Sequence, residues 1–280
     1  MIRLSSENDI ADIIFLWREA FGDTENEITF FLNNCFNPEN TLVYELNGEI
    51  ASMLFLLEGS VCVDNVNYPS YYLYAACTLN KYRGRGLMAE LLSFAKSVAA
   101  KRKKFFICLR PGEKSLFDFY EKHGYKTVFY IRKAEYRICD LINNHNPQDF
   151  SSKCDREKVR NDAFSIKPYF KWDRHFIDFA FLHNEFYGGN FVENCKGYTL
   201  YSELDSTIAV KETTFTDAFS VLNSFEKSLL NKNEKLTVNY PPYDFIDGEL
   251  TPFAMICAVD ESAEKSLDKI DFAYLGLTLE

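Results

Sequence analysis

Long apolar runs and paired cysteines are two features that this sequence lacks. No stretch approaches the roughly 18 apolar residues that a membrane span needs, and the first residues, MIRLSSENDIADIIF, are polar and acidic where a signal peptide is apolar. The 8 cysteines are scattered singly, with no C-x-x-C pair. In a chain of this size, that pattern indicates reduced thiols in a cytoplasmic protein rather than a disulfide framework or a zinc site.

Ligand spacings and phosphate-loop motifs are also missing. The 4 histidines stand at no ligand spacing from a cysteine, so the sequence predicts no metal site. Neither the P-loop pattern G-x-x-x-x-G-K-[ST] nor the dinucleotide pattern G-x-G-x-x-G occurs. The sequence therefore gives no support for a P-loop nucleotidase or a Rossmann dehydrogenase.

Positive charge is scarce in the second half of the chain. Residues 1–140 carry 17 Lys and Arg against 18 Asp and Glu, whereas residues 141–280 carry 14 against 23. The acidic half favours a neutral or cationic small partner over nucleic acid or a membrane, and simple solubility is the alternative explanation.

The order of the predicted elements indicates a mixed α/β protein. An apolar content of 47% in 280 residues allows one large domain or two ordinary ones. Helical spacing and apolar runs predict helices over 10–21, 25–37, 87–100, 111–125, 172–189 and 217–233. They predict strands over 40–46, 49–63, 68–79, 105–110, 125–131, 133–139, 190–204, 206–215, 234–241, 253–259 and 271–279. The polar stretch near 140–158 predicts a linker, which gives domains of 1–140 and 161–280 joined by 141–160.

One loop stands out between a predicted strand and a predicted helix. The segment NKYRGRGLMAELL, residues 80–92, places two arginines and two glycines before apolar residues at helical spacing. Unpaired N–H groups and the dipole make the start of a helix positive, and glycines let a phosphate approach the backbone. The loop is therefore a candidate pyrophosphate cradle, with an ordinary tight turn as the alternative.

Two motifs in order resemble those of the GNAT superfamily of acyl-coenzyme A N-acyltransferases. The family pattern Q/R-x-x-G-x-G/A falls on residues 83–88, where Arg83 and Gly86 match and Met88 replaces the small residue. The pattern F-Y-x-K-x-G-[FY] is met by residues 119–125. The resemblance covers residues 1–140 and implies a GNAT-like fold with acetyl-CoA as the acyl donor and no metal.

The resemblance also implies roles for particular residues. The strand before the loop would bind the pantetheine arm, and Tyr120 would protonate the leaving sulfur. Direct transfer in this family makes Cys77 a packing residue rather than a nucleophile. The residues that the resemblance assigns to the cofactor are Cys77, Thr78, Leu79, Arg83, Gly84, Arg85, Gly86, Leu87, Met88, Ser115 and Phe119.

The general base is not fixed by the sequence. Glu45 and Glu58 are candidates near predicted strands, and either fits a plain surface position. Relatives of the enhanced-intracellular-survival type place the C-terminal carboxylate in the catalytic pocket, so the resemblance adds the main chain of Glu280 as a third candidate. We expect both Tyr120 and Glu280 to be catalytic residues.

The second half resembles a GNAT-like repeat that has lost the cradle. Between its predicted strand and helix stands FTD, with no arginine or glycine, and Asp217 would repel a phosphate. The expected architecture is therefore two tandem GNAT-like domains, the second shaping the substrate pocket or a homodimer contact. The expected function is transfer of an acetyl group from acetyl-CoA to a primary amine of a small molecule or peptide; the alternative is a non-catalytic acyl-CoA sensor or scaffold.

Overall fold

The computed structural model describes residues 1–148 and 152–279, which contain both strands and helices throughout. The strands are β1 (Ile2–Leu4), β2 (Thr41–Leu46), β3 (Glu49–Val63), β4 (Val66–Thr78), β5 (Phe106–Leu109), β6 (Lys126–Arg137), β7 (Tyr169–Lys171), β8 (Asn190–Asn194), β9 (Gly197–Leu204), β10 (Thr207–Thr213), β11 (Lys235–Tyr240) and β12 (Glu249–Ala258). The helices are α1 (Ile10–Phe21), α2 (Glu25–Cys35), α3 (Leu87–Lys101), α4 (Ser115–Glu121), α5 (Ile138–Leu141), α6 (Arg156–Phe164), α7 (Arg174–Phe186), α8 (Ala218–Leu222), α9 (Lys227–Leu230) and α10 (Glu261–Leu267). The predicted mixed α/β class is confirmed.

Local sequence signals account for several element boundaries. Asn47 and Gly48 have φ of 54° and 79°, as a two-residue hairpin turn between β2 and β3 requires. Thr24 begins α2 with a capping box, in which Glu27 accepts a 2.7 Å hydrogen bond from the Thr24 amide. Gly22 ends α1 in the left-handed conformation. These helices and this hairpin lie where the sequence predicts them.

The chain forms two compact units that are not continuous in sequence. Unit 1 contains residues 1–60, 68–126 and 255–268, and unit 2 contains the described parts of 61–67, 127–254 and 269–280. In unit 1 the strand order is β1-β2-β3-β4-β5-β12, with β4 and β5 parallel and β5 and β12 antiparallel. In unit 2 it is β6-β11-β10-β9-β8, with β10 and β11 parallel.

The sheet of unit 1 is completed by a segment from far along the chain. Residues Met255 to Ala258 of β12 pair with Leu109 to Phe106 of β5. Met255 and Cys257 are buried in the same apolar cluster as Ile107, Leu109 and Tyr125. Residues 255–268 therefore supply both a strand and core side chains to the unit that otherwise consists of the first part of the chain.

Several predicted elements differ from the structure. The two strands expected at 125–131 and 133–139 are the single strand β6, and the strand expected over 190–204 is the hairpin of β8 and β9. The helix expected over 217–233 is broken into α8 and α9, and α6 begins inside the predicted linker. Among the described helices, none combines the length and apolar character that crossing a membrane requires.

The strand predicted over 271–279 is replaced by an irregular segment held by a buried ion pair. Arg160 and Glu212 are fully buried and lie 3.1 Å apart, Nε to Oε1. Arg160 donates to the Leu275 carbonyl at 2.9 Å, and Glu212 accepts from the Leu277 amide at 2.9 Å. Gly276, with φ of 69°, passes so near that an added Cβ would lie 1.9 Å from Glu212 Oε2. The side chains of Arg160 and Glu212 thus form the hydrogen bonds that a neighbouring strand would otherwise form with the backbone at Leu275 and Leu277.

A fragment of residues 1–140 is predicted to lack a cooperative unfolding transition. It would leave the β5 edge unpaired and expose the pocket that Met255 and Cys257 fill, although it contains both sequence motifs. Thermal unfolding followed by circular dichroism measures this, with the full chain as reference. Adding a peptide of residues 251–270 should restore the transition. A fragment that melts as sharply as the full chain, without the peptide, contradicts the expectation.

Candidate functional site

The candidate site begins where two parallel strands of unit 1 separate. Strand β4 pairs with β5 at Ser70, Tyr71 and Tyr72, opposite residues 106–108. Strand β4 then continues to Thr78, six residues beyond the last of these pairs. Past Tyr72, this side of β4 therefore faces a gap rather than a neighbouring strand.

The direction of the backbone groups along β4 is fixed by contacts with β3. The Cys77 carbonyl accepts a 2.8 Å hydrogen bond from Ser52 Oγ, and the Leu79 amide donates to the Ala51 carbonyl at 2.9 Å. Since backbone groups of alternate residues in a strand point to opposite sides, those of Ala76 and Thr78 face the gap. Of the three β4-end residues that the resemblance assigns to the cofactor, Thr78 thus directs its backbone groups to the gap, whereas those of Cys77 and Leu79 point to β3.

One residue of β4 has an unusual backbone conformation. Ala75 has φ of 48°, in the left-handed region that residues with a Cβ seldom adopt. It lies just before Ala76, at the separation of β4 from β5. A local kink of this kind re-aims the backbone groups that follow it, as β-bulges do near functional sites.

A cavity of about 800 Å³ occupies the gap and the adjoining loop. The predicted site residues that line it are Cys77, Thr78, Arg83, Gly84, Gly86, Leu87, Met88, Phe119 and Tyr120. Leu79, Arg85 and Ser115 do not line it; Leu79 is buried, and Ser115 is exposed and donates its hydroxyl to Glu113. The structure thus brings both sequence motifs to one cavity within unit 1.

The glycines of the loop are required by backbone conformation rather than by space. Gly84 and Gly86 have φ of 74° and 84°, and an added Cβ at either would meet no atom within 4 Å. Gly86 is the N-cap residue of α3, so the first-turn amides that follow it lie at the cavity wall. The Met88 side chain packs on the apolar cluster of unit 1. Its amide remains a first-turn donor, and the residue both packs on the core and lines the cavity.

The basic side chains of the loop have separate partners. Lys81 Nζ lies 2.6 Å from Glu49 Oε2, so its charge is paired. Arg83 donates from Nε to the Thr78 carbonyl at 3.1 Å and keeps its terminal nitrogens. The Arg85 guanidinium carbon lies 5.2 Å from the centroid of the Tyr82 ring, within cation–π range. The three cations are therefore not equivalent toward an anion.

Helix α4 presents one face to the cavity. Leu116, Phe119 and Tyr120 of α4, and His123 in the turn that follows the helix, line it at the spacing of one helical stripe. Tyr120 is 7% exposed, and its ring packs at 5.2 Å from Phe119 and 5.5 Å from Tyr125, centroid to centroid. Burial and then the Lys96 ammonium lower the pKa of His123 below its ordinary value, so this imidazole is neutral at pH 7.

The Cys77 thiol has the properties of a packing group. It is 7% exposed, and burial raises its pKa far above the ordinary range, with Arg83 only partly opposing the shift. A thiol of this kind is protonated at neutral pH and is a poor nucleophile. This agrees with the interpretation of Cys77 as a side chain of a cofactor-lining strand.

Two of the three candidate bases, Glu45 and Glu58, stand apart from the cavity lining. Glu45 accepts a 3.0 Å hydrogen bond from Arg3, and Glu58 pairs with Lys104; neither lines the cavity. Glu280 lies outside the described residues. Among the residues that are described, no group of three or more His, Cys, Asp and Glu side chains is placed to hold a metal ion.

Sequence reasoning missed part of the lining. Ala20 and Phe21 come from the end of α1, Gly112 and Glu113 from the turn before α4, and Tyr82 from within the loop. The stripe is readable from its spacing, since Leu116 and His123 each stand about one helical turn from Tyr120. The α1 residues carry no signal, because only the tertiary fold brings them to the cavity.

Unit 2 has the strand, helix and strand in the same order but a different first turn. Before α8, the Asp217 carboxylate accepts from the Ser220 amide at 2.9 Å and from its hydroxyl at 2.6 Å. The chain's own carboxylate thus occupies the helix start where the loop of unit 1 offers glycines and arginines. The relation of unit 2 to a second repeat stays a prediction.

Comparisons with known proteins agree with the fold and the motifs. Residues 1–128 match the family model described as "Acetyltransferase (GNAT) domain". Comparison with curated proteins gives no match. Solved structures with a similar fold include a GCN5-related N-acetyltransferase from Anabaena variabilis ATCC 29413, at 13% identity, TM-score 0.72 and coverage of 94% of this chain and 74% of that chain.

Two further structures are similar over nearly the whole chain. A probable N-acyltransferase from Enterococcus faecalis V583 has 13% identity and a TM-score of 0.71, covering 96% of this chain and 74% of that chain. Eis1 from Mycobacterium abscessus has 13% identity and a TM-score of 0.69, covering 93% and 74%. At this identity the likeness shows a shared fold.

Proposed function

Because residues 1–128 match the family model of the GNAT acetyltransferase domain, we propose that this chain transfers an acetyl group from acetyl-CoA directly to a primary amine of a small molecule or peptide. The observation that carries the proposal is that one cavity in unit 1 joins the separated end of β4, the glycine loop and Tyr120. In an acyl-CoA, the pantetheine arm would lie along the end of β4, the diphosphate at the glycine loop and the thioester beside Tyr120.

The residues present fit coenzyme A at its diphosphate. First-turn amides of α3, with glycines at positive φ before them, form an anion site. Arg83 and Arg85 add fork-shaped donors that suit phosphate oxygens. The gap-facing backbone groups of Ala76 and Thr78 suit the amides of a pantetheine arm.

The reaction needs a donor at each place where charge develops. The amine nitrogen attacks the thioester carbonyl carbon, the carbon–sulfur bond breaks, and the sulfur leaves as a thiol. A gap-facing amide of β4 would stabilise the carbonyl oxygen. Tyr120 would give its proton to the sulfur, while a base takes a proton from the amine. A cationic acceptor suits the acidic second half of the chain.

Two experiments test the function. The first is calorimetric titration with acetyl-CoA and with coenzyme A, and the second is a thiol-release screen of small amines, polyamines and peptides. We expect saturable binding of one coenzyme per chain and release of free thiol with at least one amine class. Replacing Arg83 by Gln should weaken binding, since it removes a charged donor from the cradle. Binding without turnover on every amine would instead indicate an acyl-CoA sensor, and no binding would contradict both functions.

Replacing Tyr120 by Phe should lower kcat by about a hundredfold, because a general acid typically contributes 10²–10⁴. The dissociation constant of coenzyme A should change little, since the ring is retained. Steady-state thiol release and calorimetry measure the two quantities. Tyr68→Phe, a half-buried tyrosine that packs on Phe105 and Phe106 outside the cavity lining, is the matched control. An unchanged kcat for Tyr120→Phe removes this residue from the chemistry.

The main-chain carboxylate of Glu280 is our proposed proton acceptor. Adding one glycine after Glu280 would move the carboxylate and should lower kcat, with coenzyme affinity and thermal stability retained. Replacing the side chain alone, as Glu280→Gln, should have little effect. If the extended and the native chains turn over at the same rate, the carboxylate does not act in catalysis.

A further inference from the structure

Tyr82 combines burial with a place in an exposed loop. It is 7% exposed, whereas Arg83, Gly84, Arg85 and Gly86 are all exposed. Its hydroxyl donates to Glu49 Oε1, and its amide donates to the Leu79 carbonyl at 2.8 Å. Both ends of this residue are therefore tied to the sheet, although its neighbours project toward solvent.

Glu49 is a firm anchor for that hydroxyl. It is the first residue of β3, directly after the tight turn at Gly48, and it also pairs with Lys81. The Lys81 hydrogen bond, and then the one from Tyr82, lower the pKa of the Glu49 carboxyl. The carboxylate is therefore ionised throughout the neutral range and accepts from both side chains at once.

The ring of Tyr82 is in contact with two cations of the loop. Lys81 Nζ and the Arg85 guanidinium carbon each lie 5.2 Å from its centroid. Lys81 is also paired with Glu49, whereas the Tyr82 ring is the contact that the structure shows for Arg85. Within residues 1–148 and 152–279, no hydrogen bond or ion pair engages the Arg85 side chain. A long exposed side chain without such a support loses considerable rotamer freedom when it grips a ligand.

We propose that Tyr82 and Glu49 form a brace that positions Arg85 to grip the diphosphate of the coenzyme, an inference that rests on the proposed function. The brace is a rigid path from the β2–β3 turn through the Glu49 carboxylate and the Tyr82 ring to the guanidinium. Tyr82 and Glu49 are positioning residues, because their polar groups are engaged with each other rather than directed at the ligand.

These contacts give the three cations of the loop different roles in binding an anion. Lys81 neutralises Glu49 and completes the anchor. Arg83 has one nitrogen committed to the Thr78 carbonyl. Arg85 keeps all its N–H donors for an anion, which suits the two-pronged recognition of phosphate oxygens. Affinity for the diphosphate should therefore depend more on Arg85 than on Lys81.

The test measures coenzyme A affinity by calorimetry for the full chain and for Tyr82→Leu, Tyr82→Phe, Arg85→Gln, Lys81→Met and the double variant Tyr82→Leu/Arg85→Gln. A cation–π support at an exposed site corresponds to roughly a two- to fivefold change, so Tyr82→Leu should weaken binding by that factor. Tyr82→Phe keeps the ring and loses only the anchor, so it should weaken binding less. Lys81→Met should weaken binding less than Arg85→Gln.

Two readouts separate a brace from general packing of the loop. In the Arg85→Gln background, Tyr82→Leu should have no further effect, because its influence passes through Arg85. With S-acetylpantetheine, which lacks the diphosphate, kcat/KM should be the same for Tyr82→Leu and the unchanged chain. With acetyl-CoA, the KM of Tyr82→Leu should rise, while its kcat should stay the same as that of the unchanged chain.

Tyr44→Phe is the matched control, since it removes a similar tyrosine–glutamate hydrogen bond, 3.1 Å from Tyr44 to Glu90, outside the cavity lining. It should bind coenzyme A like the unchanged chain. An additive loss in the double variant, or an equal loss with S-acetylpantetheine, overturns the brace and leaves the proposed function standing. Equal affinity of Tyr82→Leu and the unchanged chain for coenzyme A also overturns the brace and leaves the proposed function standing. If the unchanged chain binds no coenzyme A, the proposed function fails and the brace fails with it.

Discussion

The separation of β4 from β5 after Tyr72 is the constraint on which the rest of the candidate site depends. Two parallel strands that stay paired leave no backbone groups for a ligand, whereas here β4 continues alone to Thr78. The left-handed conformation of Ala75 and the loop at residues 80–86 both follow from the direction that β4 takes past this point. The strain at Ala75 is offset by the pairing of the rest of β4 with β3.

A comparison inside the molecule shows how few residues decide whether a helix start can hold an anion. In unit 1 the turn before α3 has glycines at positive φ, and its acidic neighbour Glu49 is neutralised by Lys81. In unit 2 the turn before α8 is closed by Asp217, which satisfies the first-turn donors itself. The backbone dipole is available in both places, and the side chain at the cap decides what it binds.

Elements set by local signals were predictable from the sequence, and elements set by distant contacts were not. Helices α1 and α2 and the hairpin of β2 and β3 depend on local signals, such as the capping box at Thr24 and the turn at Asn47 and Gly48, and each lies where the pattern predicts it. The broken helix of residues 217–233 and the irregular segment near Gly276 depend on packing and on Arg160 and Glu212, which periodicity does not report. The single strand β6 replaced two predicted strands, because its partner β11 comes from far along the chain.

The same limit applies to the site. Glycines and basic residues at a strand–helix junction have a direct physical meaning, and they predicted the cradle. The role of Tyr120 was predicted by the resemblance to the GNAT family. The motifs did not predict which backbone groups of β4 face the gap, since this depends on Ser52 and Ala51 of β3. Nor did they separate the three cations, because their difference lies in the partners Glu49, Thr78 and Tyr82.

The use of residues 255–258 as a partner of β5 has a consequence for synthesis. A ribosome completes β5 about 150 residues before it completes β12, an interval on the order of ten seconds at ordinary elongation rates. Throughout that time the nascent chain carries an open sheet edge beside the helices that later form the cavity. A chaperone that covers this edge, or a slow codon that lengthens the wait, would govern the yield of folded protein without touching any residue of the site.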